Sequence, residues 1–163
     1  MAFFLDTTVA SELRRSRTHG GVVAWIESVD DAELYLASVT IGEILAGIEL
    51  SRNEDSAKAD AIERWLDQVC NTFNILTMDG PAFRRWAQLM HRQSDTLYED
   101  GMIAAMAKGQ QLTVVTRNVG DFSKFGVPLL NPFTSGAELG RSADWGDRCG
   151  GLFPLELPRF SGQ

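Results

Sequence analysis

Apolar residues along this chain follow two rhythms that alternate from end to end. Short, nearly continuous runs have the length and composition of strands: Phe3-Phe4-Leu5, Leu34-Tyr35-Leu36-Ala37-Ser38, Phe73-Asn74-Ile75-Leu76, Leu112 to Thr116, and Val127-Pro128-Leu129-Leu130. Between them, apolar positions recur at helical spacing. Ile62, Trp65, Leu66 and Val69 fall at i, i+3, i+4 and i+7, and Phe83, Trp86, Ala87 and Met90 repeat that spacing. Further helices are expected from Thr7 toward Arg15, after the Gly20-Gly21 break through Trp25 and Val29, and from Glu43 through Leu45 and Ile48. Met102 to Ala107 is apolar on all sides, as in a helix packed between neighbours. Leu112 to Thr116 has the uninterrupted pattern of a parallel strand buried on both faces. Strands alternating with helices predict an α/β fold in which helices flank a central parallel sheet, with right-handed crossovers.

A chain of 163 residues suits a single domain with a real core. That domain is expected over residues 1–133. Residues 134–163, with six glycines and little periodicity, read as a tail with no assigned function. A net charge of −7 argues against a protein held to nucleic acid mainly by a basic surface, but not against an enzyme whose acidic site is neutralised by divalent cations. Cys70 and Cys149 lack any metal-finger spacing. With no basic leader and no apolar run of membrane-spanning length, the sequence predicts a cytoplasmic protein with no membrane partner.

Acidic residues at the junctions of these elements carry the candidate chemistry. Asp6 closes the first strand, Glu43 opens the helix after the second, Asp100 opens the all-apolar helix, and Asp121 follows the strand at Leu112 to Thr116. Ligands of open α/β sheets bind outside the carboxyl ends of the strands, so these four positions are expected to converge. Clustered carboxylates need a positive charge between them, and an all-oxygen set suits Mg²⁺ or Mn²⁺. Each acid also has a structural reading. Asp6 suits a helix cap, Glu43 the far end of a capping box from Thr40, Asp100 a helix N-terminus, and Asp121 an Asx turn. His19 and His91 read as structural or surface residues, not as an acid–base pair, and there is no nucleophile elbow or phosphate loop. Trp25, Trp65 and Trp86 fall on apolar helix faces, while Trp145 has no explanation.

Phe4-Leu5-Asp6-Thr7-Thr8-Val9, Ser38 to Gly47 with Glu43 at its centre, Asp100-Gly101-Met102-Ile103-Ala104-Ala105, and Val115-Thr116-Arg117-Asn118 followed by Asp121-Phe122 occur in order, closing on Leu130-Asn131-Pro132-Phe133. Together they resemble the motifs of PIN-domain ribonucleases, especially VapC-type toxins of type II toxin–antitoxin systems. The resemblance covers about Phe3 to Phe133, and it departs from the family pattern at Thr8 and at Asn118. It implies a PIN-like fold and a metal-dependent endoribonuclease. Asp6, Glu43 and Asp100 would hold one or two Mg²⁺ (or Mn²⁺) ions, with Asp121 or Asn118 completing the shell. Thr7 and Thr116 would orient a carboxylate, a water or the phosphate. Water as nucleophile would leave a 5′-phosphate and a 3′-hydroxyl. Arg14, Arg15, Arg17 and Arg117 are the candidate contacts to an RNA substrate, such as a transfer or ribosomal RNA loop. A cognate antitoxin and a homodimer are also implied. Two alternatives stay open: a lapsed PIN-like module that binds RNA or metal without cutting, and a phosphohydrolase of the haloacid-dehalogenase kind.

Overall fold

The computed structural model describes residues 1–134; the readings placed on 135–163, Cys149 and Trp145 included, lie outside the described residues. Five strands form one sheet: β1 (Phe3–Leu5), β2 (Leu34–Ala37), β3 (Asn74–Leu76), β4 (Thr113–Val115) and β5 (Leu129–Leu130). Their order is β3-β2-β1-β4-β5 and every pairing is parallel, with Leu5 opposite both Leu36 and Val115. Parallel neighbours need crossover connections, and seven helices among the described residues supply them. These are α1 (Thr7–Glu12), α2 (Gly20–Glu27), α3 (Ser38–Arg52), α4 (Ser56–Thr72), α5 (Gly80–Leu89), α6 (Tyr98–Gln110) and α7 (Val119–Phe122).

Side chains alternate across the strands, and the core divides accordingly. Leu5, Leu34, Leu36 and Val115 face α1 to α4, where Val9, Ile26, Ile48, Trp65 and Leu66 are buried against them. Phe4, Ala37 and Val114 face the other way, onto Ile103, Ala104, Ala107 and Phe122. The result is helix–sheet–helix layering with β1 at the centre of the sheet, as the alternating pattern predicted. Trp65 is buried, Trp25 is partly buried with its ring edge-on to Phe3, and Cys70 is half-buried against the first layer. No described helix is long and apolar enough to cross a membrane.

Two junctions differ from the expectation. The third helix begins at Ser38, directly from the end of β2, so Glu43 lies in its second turn and does not open it. Its N-cap is Ala37, and Thr40 is a buried residue within the helix; the capping box therefore does not form. The sixth helix begins at Tyr98, ahead of the apolar run, and places Asp100 inside its first turn. The other boundaries shift by a few residues. The last strand shortens to Leu129–Leu130, while the Pro128 carbonyl still accepts from the Val114 N–H.

Candidate active site

The carboxyl ends of β1, β2 and β4 release the chain into α1, α3 and the loop before α7, so the acids of those segments emerge on one edge of the sheet. The first turn of α6 reaches the same edge, because that helix runs back toward the start of β4. Asp6 occupies the N-cap position of α1, yet its side chain bonds to no backbone N–H of the helix. Instead Oδ2 accepts from two hydroxyls, Thr8 Oγ1 at 2.7 Å and Thr116 Oγ1 at 2.8 Å. Those hydroxyls in turn accept backbone N–H groups from the loop after β4: Arg117 to Thr8 at 3.3 Å and Asn118 to Thr116 at 2.9 Å. Asp6 is only 3% exposed, and the two hydroxyls give its Oδ2 hydrogen-bond partners in that buried setting.

Glu43 is held by a short hydrogen bond from Thr7 Oγ1, which also approaches Thr40 Oγ1 at 3.1 Å. Burial nevertheless pushes the Glu43 carboxyl up, and the nearby charges of Glu99 and Asp6 add to that push. Asp100 is pushed further, to about 7, first by burial and then by Asp6, Asp121, Glu43 and Glu99. A helix N-terminus favours an anion and acts in the opposite direction, so burial and the surrounding carboxylates together outweigh it. Asp121 differs from the others. Lys124 Nζ donates to Oδ1 at 2.9 Å and Asn118 Nδ2 donates to Oδ2 at 2.8 Å, and together they hold its carboxyl below the usual range.

The structure therefore brings Asp6, Glu43 and Asp100 into mutual electrostatic contact with Asp121 alongside, and ties Asn118 to Asp121 rather than presenting it alone. Among the described residues no three acidic, histidine or cysteine side chains close into a metal-binding shell. The donor set still suits a hard divalent ion. It is all oxygen, its repulsion is concentrated on Asp100, and Mg²⁺ keeps several waters and needs few carboxylates.

A PIN-domain family model matches residues 3–127, a span that holds all four acids. The chain belongs to the PIN-domain family. This PIN domain is 34% identical to Toxin FitB of Neisseria gonorrhoeae over 136 residues, which is 79% of this chain and 96% of that one. It is 31% identical over 137 residues to a VapC ribonuclease of Sinorhizobium fredii, with the same shares covered. The crystal structure of FitAcB from Neisseria gonorrhoeae superposes with a TM-score of 0.72 at 32% identity, covering 81% of this PIN domain and 99% of that chain.

Within the PIN domain the four candidate arginines are separated. Arg15 pairs with the buried Glu12 at 3.2 Å, and that carboxylate also accepts the His19 N–H. Arg17 is exposed, and the Arg117 guanidinium lies 4.9 Å from the Phe133 ring centroid. Arg14 alone of them lines a cleft beside Glu43. His19 caps α2 through Nδ1 and rests against Phe133, a structural role. Sequence reasoning missed three participants. Thr8 was noted only as a departure from the motif. Glu99 lies outside every motif, and Lys124 sits one turn beyond Asp121, a spacing that does suggest an i,i+3 ion pair.

Proposed function

We propose that this PIN domain is a metal-dependent endoribonuclease and the toxin of a toxin–antitoxin pair. The observation that carries the reading is the convergence of Asp6, Glu43 and Asp100 on one sheet edge, where burial and the neighbouring carboxylates together lift the Asp100 carboxyl to about 7. Such a set of acids is costly to maintain without a cation. The ribonuclease and toxin names of two relatives that span most of the chain support the substrate class. Asp6, Glu43 and Asp100 would hold Mg²⁺, or Mn²⁺ in its place, with Asp121 or Asn118 completing the set. Bound there, such an ion would lower the pKa of a water and offset negative charge on the phosphate.

The remaining work falls to the chain's own groups. Thr8 and Thr116 fix Asp6 through Oδ2, and Thr7 fixes Glu43. Asp100, whose carboxyl is pushed up to about 7 while no cation lies among the acids, would be held ionised once one binds, so its charge becomes available for the ion. Attack by water at phosphorus with the 3′-oxygen as leaving group gives a 5′-phosphate and a 3′-hydroxyl, and because the ribose 2′-OH takes no part, no cyclic phosphate forms. The acidic edge also suits an antitoxin segment carrying a guanidinium, which would neutralise the carboxylates in place of the ion. A homodimer is proposed on the family resemblance.

The decisive test incubates antitoxin-free protein with total bacterial RNA in Mg²⁺, Mn²⁺ or EDTA, beside Asp100→Asn. Discrete cuts that require metal, carry 5′-phosphates and vanish in the variant are expected. Cyclic phosphate ends would overturn the mechanism. A folded protein that cuts nothing in either metal would point to a binding module instead.

A further inference from the structure

Beside the acidic edge, α1, α3 and α4 enclose a cleft of about 420 Å³. Thr7 and Glu43 form its boundary with the carboxylates, and Arg14 and Lys58 enter it from α1's C-terminal end and from α4. We propose that this cleft is a subsite for the RNA strand next to the scissile bond, taking a backbone phosphate on Arg14 and Lys58 and a base against Ile44 and Ile62. The proposal rests on the ribonuclease reading and gives that enzyme a place to grip its substrate outside the metal site.

Charge accounting comes first. Three Lys or Arg side chains of the described residues have carboxylate partners: Arg15 with Glu12, Lys124 with Asp121, and Arg52 with Glu49, Asp60 and Glu63. Arg14 and Lys58 have no carboxylate partner among the described residues. Lys58 adds only its backbone N–H, to the Asp55 cap. Arg14 is half-buried as well, and burial together with Arg15 makes its protonated form less favourable than usual. A guanidinium kept out of water without a counter-ion is costly, and a phosphate restores the missing partner with bidentate geometry. In a protein of net charge −7, two unpaired cations facing one cleft select for an anionic guest.

Size and lining agree. The volume lies within the range of small-ligand pockets, roughly 300–1,000 Å³. Ile44 and Ile62 supply an apolar wall, and the Ser11 and Ser51 hydroxyls supply hydrogen-bonding groups for a base edge. Continuity with Glu43 means that a strand crossing the carboxylates enters the cleft without leaving the surface.

Binding and cutting separate the two proposals. Fluorescein-labelled single-stranded RNA is titrated in EDTA by anisotropy at several salt concentrations, against wild type, Arg14→Gln, Lys58→Gln, the double variant and an Arg84→Gln control, each checked by circular dichroism. The single cleft variants are expected to lose about 5-fold in affinity and the double variant more than 10-fold, with Arg84→Gln unchanged. The salt slope should fall by about 0.7 for each cation removed. In Mg²⁺ the double variant should raise KM and leave kcat within about 2-fold. Discrete cutting by wild type, with affinity, salt slope and KM unmoved in the variants, would overturn the cleft and leave the nuclease standing. RNA binding that depends on Arg14 and Lys58, without cutting under any metal, would keep the cleft and remove the nuclease. An oligoglutamate peptide that binds more tightly than RNA and is lost in the same variants would overturn the assignment in favour of a protein partner.

Discussion

Thr8 and Thr116 donate to the same oxygen of Asp6, and each also receives a backbone N–H from the loop after β4. Removing either hydroxyl should let the carboxylate rotate and loosen that loop. Thr116→Val, nearly isosteric at a fully buried position, is expected to weaken Mn²⁺ binding and turnover by about 10-fold, with Thr116→Ser close to wild type. Thr8→Val should behave similarly, and calorimetric titration of Mn²⁺ checks both. The acids themselves predict a pH dependence. Asp100 titrates near 7 in the folded protein against an ordinary value of 3.8, so the metal-free native state holds a proton that the unfolded chain has released. Stability should therefore fall as pH rises from about 4 to about 7, and Glu43 acts in the same direction. Asp121, held below the usual range, contributes stability that is lost only on going more acidic than this window. Thermal melts in EDTA should show a declining Tm across the window that Asp100→Asn flattens, and saturating Mg²⁺ should raise Tm more at about pH 8 than at about pH 5. Parallel melts of wild type and variant would mean that Asp100 is not the group responsible. Composition and order exposed Asp6, Glu43, Asp100 and Asp121, because acids at strand ends are visible in a linear sequence. The double hydroxyl clamp was not visible, since its two threonines are brought together only by the pairing of β1 with β4.

Helices α5 and α6 meet closely at the third motif. A Cβ on Gly101 would stand 2.6 Å from Met90 Sδ and 3.3 Å from the Trp86 ring, so the glycine beside Asp100 is what lets α5 lie against the buried face of α6. Gly101→Val should destabilise by about 1–3 kcal/mol through overpacking, read from urea unfolding. It should also reduce turnover by displacing Asp100. Across the molecule, Arg52 at the end of α3 bonds Glu49 on its own helix and Asp60 and Glu63 on α4. Arg52→Met is expected to lower Tm in dilute buffer and less so in high salt, where an exposed network is already screened. The i, i+3, i+4 pattern identified α4 and α5 to within a few residues; on α4 the stripe is buried, whereas on α5 Phe83 and Ala87 stay exposed, Trp86 and Met90 are half-buried, and Ala82 is the buried residue. It placed the start of α3 too late. Ser38 and Val39 continue the apolar run of β2, and nothing in the local sequence marks a strand turning into a helix without an intervening loop.

At the scale of the whole molecule, the parallel sheet was legible because Leu112 to Thr116 lacks alternation, and such a strand must be covered on both faces. Strand order was beyond the pattern: apolar runs show that β1 is buried but not that it pairs with β2 on one side and β4 on the other. That order also governs when the site comes into being. Asp6 meets Thr116 across 110 positions of chain, and Asp121 follows later still. Pairing across so long a separation requires the intervening chain to be present and closes a long loop before the contact rewards it. For the ribonuclease proposed above, a chain synthesised only through β3 holds Asp6 and Glu43 but lacks Asp100, Asp121 and the Thr116 hydroxyl that holds Asp6, and so cannot cut the RNA around it. Toxicity would begin only once β4 has emerged and slotted in beside β1, an interval in which newly made antitoxin can already be waiting.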